Sequence, residues 1–498
     1  SIFALFMLRI CLSKEKKKED NILQQFDKTI SVSITPNFTT THAINTDIFG
    51  VNIGFAFARE LDKDSGFVQL LRDMHPTSLR FPGGTVANYY HPNLPVYGYK
   101  SNEIMPSLGG LYNLQTKRSE NILYNYIRLC KLVGAKSVFC ANTLTGTTEE
   151  TLFVLAELKK NNIPILGVEL GNEFCLAGYR KQFPDANVYL KKIKATAFAI
   201  RAKYPDMKIA VIGGDGVGKN EIDARSKFMR KWNQDVSKEN FYNAYTWHPY
   251  AECAACDKES FFDKVFTKNL NELAPTKSKY LYNLGVNYIQ IYGKNKKLWL
   301  TEWNIGNTDF LNNTFVQAAY VSENFLYMLD LNTKYDNYIE LTNLHAIEGL
   351  ISTQKTTQKP VLANGDDVVS TQYFAFKFLA STLTNDVYKA NQTVACSDTV
   401  VSKGFVCNAF LRKTDNKVFL HYINRSGKNV QLNINIKPNT AFEINAIDAN
   451  YPYATAGKTV YEKEYPNKVK PVKYREEKFT KNSVTIAPYS FGYISYSN

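Results

Sequence analysis

Cysteine and histidine are scarce in this chain, with 8 and 6 among 498 residues. So few cysteines exclude a disulfide-built scaffold. The one CxxC, Cys253-Ala254-Ala255-Cys256, lacks the second pair that a zinc ribbon needs, so it reads better as a loop disulfide than as a metal site. Cys396 and Cys407 bracket what reads as a hairpin and are placed to bridge it. Long apolar runs are missing too. The opening Ser1-Ile2-Phe3-Ala4-Leu5-Phe6-Met7-Leu8-Arg9-Ile10-Cys11 is too short to span a bilayer and is followed by Lys14 and Lys16 to Lys18. Residues 1–22 therefore read as a leader or signal-peptide remnant, which makes a secreted or extracytoplasmic protein the expectation. No later segment is apolar enough for integral membrane association.

Cofactor and nucleic-acid signatures are lacking as well. Gly213-Gly214-Asp215-Gly216-Val217-Gly218-Lys219 matches GxxxxGK, but Asn220 stands where a phosphate loop needs Ser or Thr for magnesium. No cofactor and no metal are expected. Acidic residues are outnumbered, 46 against 60 basic, giving a formal charge of +14 and a pI near 9.1. The resulting positive field favours polyanionic partners. Dispersed lysines without a zinc-finger spacing, an RNA-recognition signature or a basic helical arm argue against nucleic acid, whereas uronic or sulfated glycans would feel the same attraction.

What is abundant is aromatic: 32 Tyr and 31 Phe suit sheet packing and stacking on flat ligands. With 44% hydrophobic and 21% charged residues, the chain is globular rather than disordered. From 46 to 384, β-branched or aromatic runs at 48–54, 77–81, 136–141, 165–170, 208–213, 243–248, 297–302 and 339–346 alternate with helical patterns such as Glu120 to Leu132, Glu149 to Lys160, Ala186 to Tyr204 and Thr314 to Leu331. Eight strands with intervening helices predict an α/β fold, a (β/α)8 TIM barrel. After Thr384 the period becomes two, at 404–413, 418–424, 430–436, 442–449 and 483–496, which predicts a C-terminal antiparallel β-sandwich domain over 385–498. The early run Ile30 to Thr35, within 30–45, is expected to add a strand to it. Lys458 to Lys481 reads as an exposed loop, and sequons stand at Asn37, Asn312, Asn391 and Asn424.

Two strand-like runs end in glutamate: Val168-Glu169-Leu170-Gly171-Asn172-Glu173 and Leu298-Trp299-Leu300-Thr301-Glu302-Trp303-Asn304. The alternation of a strand puts Glu169, Gly171 and Glu173 on one face. Barrels of this kind place their chemistry at the carboxyl ends of the strands, and the fourth and seventh strands face each other. Two opposed carboxyls are what glycosidic bond cleavage requires, one to protonate the leaving oxygen and one to attack the sugar carbon or activate water. Glu169 is read as a buried, paired barrel residue.

The ordered motifs carry a family resemblance that spans roughly 46 to 495. Gly171-Asn172-Glu173 with a second glutamate after strand seven resembles the retaining glycosidase clan A built on this barrel. Arg80-Phe81-Pro82-Gly83-Gly84 resembles the corresponding motifs of α-L-arabinofuranosidases and of heparanase-like β-glucuronidases, and Glu302-Trp303-Asn304 leans to the former. The resemblance implies a retaining glycoside hydrolase with Glu173 as acid/base and Glu302 as nucleophile. It also implies that Asn172 binds the sugar 2-hydroxyl and that Arg80 keeps Glu302 ionised. Trp247-His248-Pro249-Tyr250 matches the clan's His-x-Tyr, so Tyr250 would hold Glu302 and His248 modulate Glu173.

Asn142, after strand three, is expected to line the mouth. Many clan members end strand eight with a sugar-stacking tryptophan, which Thr342-Asn343-Leu344-His345-Ala346 lacks. Trp303, Tyr89 or Tyr90 are the candidates to replace it. The expected partner is a carbohydrate, either an acidic glycan or an arabinofuranoside. The alternative is a non-catalytic glycan-binding or adhesive protein on the same barrel.

Overall fold

Strands buried on both faces read as continuous apolar runs, and Ile209–Ile212 is wholly buried in this way. It is one of eight parallel strands that close into a barrel: Gly50–Asn52, Ser78–Phe81, Lys136–Ala141, Ile165–Leu170, Ile209–Ile212, Ala244–Thr246, Lys297–Ile305 and Ile339–His345. The last pairs with both the first and the seventh, which shuts the ring. Seven fall within the runs expected from sequence, and Lys297–Ile305 runs three residues past the expected 297–302. The structure, a computed structural model, describes residues 29–53, 60–95, 98–105, 120–215, 223–251, 285–305, 313–353, 362–364, 367–437, 440–449 and 472–498. The leader at 1–22, the Cys253–Cys256 pair, Asn312 and the end of the Gly213–Lys219 motif lie outside them, as does most of 458–481.

Helices Ile122–Val133, Thr148–Lys160, Ala186–Lys203, Ala224–Val236, Phe315–Lys334 and Thr371–Thr382 follow the second, third, fourth, fifth, seventh and eighth strands. Each begins where a side chain accepts a backbone N–H, from Asn121, Thr147, Asp185, Asp223, Thr314 and Ser370. Their apolar faces and the outward residues of the strands form the main core, while Val138, Ala210, Ala244, Trp299 and Leu341 fill the barrel's inside. Gly167 belongs to that filling, since a Cβ there would lie 2.2 Å from the Trp299 ring.

A second, nine-stranded sheet carries the strands after residue 384. Phe405–Arg412, Lys417–Asn424, Val430–Ile434 and Phe442–Asp448 match the expected runs. The early strand runs Ile30–Ala43, further than expected, and pairs antiparallel with Val387–Cys396 but parallel with Val430–Ile434, so the sheet is mixed. Three further features differ from the sequence reading. Val387–Cys396 is an additional strand, Lys473–Phe479 is a strand and not loop, and 483–496 is two strands, Ser483–Ile486 and Ser490–Ser497.

The expected Cys396–Cys407 bridge does not form, and both thiols are free. Pairing between their two strands runs only from Val387↔Arg412 to Lys389↔Phe410, a short helix Thr399–Gly404 intervenes, and Cys396 registers instead with Val32. Of the described sequons, Asn37 and Asn391 are exposed. Asn424 is buried with its amide donating to Lys428 O and Ala487 O, so the folded chain cannot be glycosylated there.

Candidate active site

Inside the carboxyl end of the barrel lies a charged cluster centred on Arg80 of the second strand. Its guanidinium is fully buried. It donates from Nε and Nη2 to the two oxygens of Glu169 (2.7 and 3.0 Å), from Nη1 to Glu302 Oε1 (2.7 Å), and from Nη2 to Asn172 Oδ1 (2.9 Å). The planar fork is what allows one cation to serve both carboxylates. Glu169 is thus the buried, paired residue expected, and it also accepts from Thr301 Oγ1 at 3.0 Å.

Glu302 reaches this cluster through an irregularity in its strand. Leu298 and Leu300 face the outer core and Trp299 the inside, so strict alternation would send Glu302 outward and Trp303 inward. The ladder with strand eight shifts register between Thr342↔Leu300 and Leu344↔Trp303, a bulge that adds one residue to strand seven. Thr301 and Glu302 therefore both contact the interior cluster, and Trp303 turns out.

Beyond the bulge, Tyr250–Ala251 pairs with Asn304–Ile305, which lays the Tyr250 hydroxyl on Glu302 Oε2 at 2.8 Å. Gly84 approaches from the second strand's loop, where a Cβ would lie 3.7 Å from Glu302 Oε1. Burial by itself would raise the Glu302 carboxyl. The His248 charge, that of His345 in acid where its ring is protonated, the Arg80 charge and the Tyr250 hydrogen bond outweigh it and hold the group well below the usual carboxylate range.

The fourth strand ends at Leu170, and the chain turns through Gly171 (φ +94°) to Glu173, whose φ of +56° is uncommon for a residue with a side chain. Glu173 is consequently not a strand residue, as the alternation argument assumed, although the turn still aims it into the mouth. Asn88 clamps the turn by donating to Asn172 O (2.9 Å) and accepting from Asn172 N–H (3.0 Å). The Asn172 amide leans on Glu173 Oε2 at 3.4 Å.

His248 bridges the two glutamates. Its Nδ1 is 2.9 Å from Glu173 Oε1 and 3.9 Å from Glu302 Oε2, and its Nε2 is 3.0 Å from Thr301 Oγ1. Thr301 gives its single hydroxyl proton to Glu169, so toward His248 it accepts, and Nε2 carries a hydrogen. Nδ1 is then the nitrogen that shares a hydrogen bond with Glu173. Burial lowers the His248 pKa, but the Glu302 and Glu173 charges prevail and the result is a rise.

An oxygen of Glu173, an oxygen of Glu302 and a ring nitrogen of His248 all lie within 4.8 Å of one another, a set that also has the donors for a metal ion. The Arg80 guanidinium on Glu302 and the raised pKa of His248 oppose a second cation there, so the set reads better as acid/base machinery.

Of the residues expected at the site, Arg80, Asn172, Glu173, His248, Tyr250 and Glu302 are brought together. Trp303 is not, because it is buried in the wall, where its Nε1 donates to Thr342 Oγ1 (3.1 Å) and its ring meets Phe325 edge-on. Tyr89 and Tyr90 are buried as well, with the Tyr90 hydroxyl on Asn121. None of the three presents an exposed ring face to the cleft. Asn142 turns its polar atoms to its own loop, accepting from the N–H of Leu144 and Thr145 and donating to Tyr90 O and Thr145 Oγ1, rather than to the glutamates.

The sequence reading missed Asn88, Thr301 and His345. Position was the available signal, since Thr301 precedes a strand-end acid and His345 closes strand eight, with its Nδ1 3.9 Å from Glu302 Oε2.

No protein-family model and no curated protein matches the chain by sequence. Solved structures do match it in shape. The GH51 arabinofuranosidase from Xanthomonas axonopodis pv. citri aligns at a TM-score of 0.64 and 13% identity, covering 94% of this chain and 100% of that one. The GH51 α-L-arabinofuranosidase from Thermotoga petrophila RKU-1 gives 0.62 and 16% over the same shares. A GH44 endoglucanase from Clostridium acetobutylium ATCC 824 gives 0.59 and 13%, again over 94% and 100%. At these identities the likeness is one of fold. It bears out the barrel-plus-sandwich architecture.

Proposed function

We propose that this chain is a retaining glycoside hydrolase, with Glu302 as nucleophile and Glu173 as acid/base. The observation that carries the proposal is the approach of the two carboxyls to within 4.8 Å across the barrel. Double displacement calls for about 5–5.5 Å, whereas direct inversion needs about 6.5–9.5 Å to admit a water. Their surroundings differ in the required sense. Glu302 is buried, ionised and fixed at both oxygens by Arg80 and Tyr250, while Glu173 is partly exposed and hydrogen-bonded to a histidine.

In the first step Glu302 attacks the anomeric carbon as the proton of Glu173 passes to the departing oxygen. In the second, Glu173 takes a proton from water, the water oxygen bonds to the anomeric carbon, and Glu302 leaves as a carboxylate. The shape likeness to arabinofuranosidases and glucanases supports a carbohydrate substrate, and the net charge of +14 supports trying acidic glycans beside arabinofuranosides.

The test is Glu302→Gln against a panel of p-nitrophenyl glycosides and polysaccharides, with the first-formed anomer followed by NMR. Loss of turnover in a folded variant and net retention in the parent are expected. A fully active Glu302→Gln or an inverted first product would refute the proposal.

A further inference from the structure

We infer that His345 is a substrate-binding residue, holding a hydroxyl of the sugar ring that sits on Glu302. The inference rests on the glycosidase reading, and it adds a contact on the side of the nucleophile opposite His248. Both histidines place Nδ1 3.9 Å from the same oxygen, Glu302 Oε2, yet their circumstances are opposite. His248 has both ring nitrogens engaged, by Glu173 and Thr301. His345 has neither engaged among the described residues. Its Nδ1 is buried without a hydrogen-bond partner, since 3.9 Å is too long to count as one, while the side chain as a whole remains 33% exposed at the mouth.

The residue is nonetheless held firmly. Its carbonyl accepts from Asn304 Nδ2 at 2.6 Å, and its ring meets Tyr250 edge-on with centroids 5.9 Å apart. An imidazole fixed by its backbone and one neighbouring ring, with a buried nitrogen not hydrogen-bonded, is placed to take a partner from the cleft.

Position identifies that partner. In an attacking geometry the anomeric carbon lies roughly 3–3.5 Å from a Glu302 oxygen. A nitrogen 3.9 Å from Oε2 is then within hydrogen-bond reach of a hydroxyl on a carbon close to the anomeric one. Burial lowers the His345 pKa despite the attraction of Glu302, with Arg80 and His248 acting in the same sense, so at neutral pH the ring is uncharged. An uncharged imidazole both donates and accepts, which suits a sugar hydroxyl and gives no charge compensation to a carboxylate. The contact is therefore one to a hydroxyl of the glycone.

Two measurements test this. For whichever p-nitrophenyl glycoside the parent hydrolyses (α-L-arabinofuranoside, β-D-xyloside, β-D-glucoside and β-D-glucuronide), His345→Phe keeps the ring volume and removes both nitrogens. It should lower kcat/KM about 10- to 100-fold. His345→Gln should recover part of that loss, and melting temperature serves as the control for folding. The loss should vanish on the deoxy glycoside that lacks the contacted hydroxyl.

Independently of turnover, protein labelled with carbon-13 at the imidazole carbons has only 6 histidines to resolve. The signal that disappears in His345→Phe should shift when L-arabinose, D-xylose or D-glucose is added at high concentration. A His345→Phe enzyme as active as the parent on every hydrolysed glycoside refutes the inference while leaving the glycosidase reading intact. So does a larger response of the signal to D-glucuronate than to any neutral sugar. If the parent hydrolyses nothing, the glycosidase reading fails and the NMR result decides His345 alone, with no shift from any sugar refuting it.

Discussion

Removing the Arg80 cation tests whether one buried charge supports both the fold and the nucleophile. Arg80→Met keeps most of the side-chain volume and deletes four hydrogen bonds, two to Glu169 and one each to Glu302 and Asn172. A unit charge about 4 Å away is worth about 4 kcal/mol at an effective dielectric constant of about 20, which is about 3 pKa units. Glu302, now held well below the ordinary range by His248, His345 and Arg80 together, should rise toward the ordinary value of about 4.3.

A depressed carboxyl contributes stability that is present above its unfolded pKa and is lost as pH falls through its folded one. The gap in melting temperature between parent and variant should therefore be widest above pH ~4.3 and narrow in acid. Leaving buried carboxylates without their cation costs about 3–5 kcal/mol at neutral pH. In the pH profile of kcat/KM, the acid limb should move up by about 2–3 units. Adding Glu169→Gln to the variant removes one of the two uncompensated carboxylates. Stability should return in part while the acid limb stays displaced. An acid limb unmoved in Arg80→Met would refute the electrostatic account of Glu302, and so would recovery of both properties in the double variant.

Two further perturbations follow from buried pairs outside the site. His91 is buried with Nε2 2.8 Å from Glu103 and Nδ1 2.9 Å from Glu150. Burial lowers its pKa, but the bonds to Glu150 and Glu103 prevail and raise it. Its contribution is complete below the unfolded value of about 6.5 and lost as pH rises through the folded one. His91→Phe should thus be several degrees less stable than the parent at pH ~6, with the deficit shrinking by pH ~9; a deficit independent of pH would sink this reading. Glu323 of the helix Phe315–Lys334 meets Arg425, just beyond the sandwich strand Lys417–Asn424, at 2.7 Å with both side chains buried. Glu323→Ala should cost about 3–5 kcal/mol by urea denaturation and leave kcat unchanged, while Glu323→Leu with Arg425→Met should recover most of it. Additive losses in that pair would show that the two residues do not act together.

How much of the fold the sequence discloses depends on which faces a strand buries. Barrel strands such as Ile209–Ile212 are apolar throughout and stand out from the helices between them. The strands that escaped notice are the polar ones. Lys473–Phe479 reads Lys-Tyr-Arg-Glu-Glu-Lys-Phe and lies at the edge of its sheet, where charged side chains discourage pairing with another molecule. Such a strand has the composition of a loop. Val387–Cys396 is hidden for a related reason, because from Asn391 to Ala395 it is largely exposed. The cysteine bridge failed with it, since the hairpin that would have brought Cys396 to Cys407 gives way to pairing with Ile30–Ala43.

At the site, residue types were legible and directions were not. Glutamates after the fourth and seventh strands mark their own places, and Arg80, His248 and Tyr250 follow from motif and position. Which way a side chain points depends on the phase of the strand, and phase is reset by a bulge that leaves no mark in composition. Counting by twos from the inward Trp299 puts Trp303 in the cleft and Glu302 outside it; the register shift after Leu300 reverses both. The same event explains why Trp303 looked like a sugar platform and is a wall residue, packed on Phe325. Trp303, Tyr89 and Tyr90 are all buried, and among the described residues it is the polar ring of His345, at the end of strand eight where many clan members carry a stacking tryptophan, that stands 3.9 Å from Glu302 Oε2. A stacking ring accepts any sugar with an apolar face, whereas a hydrogen-bonding ring demands a hydroxyl in one place. If His345 binds a glycone hydroxyl as inferred, the second in place of the first exchanges tolerance for selectivity at the sugar nearest the nucleophile.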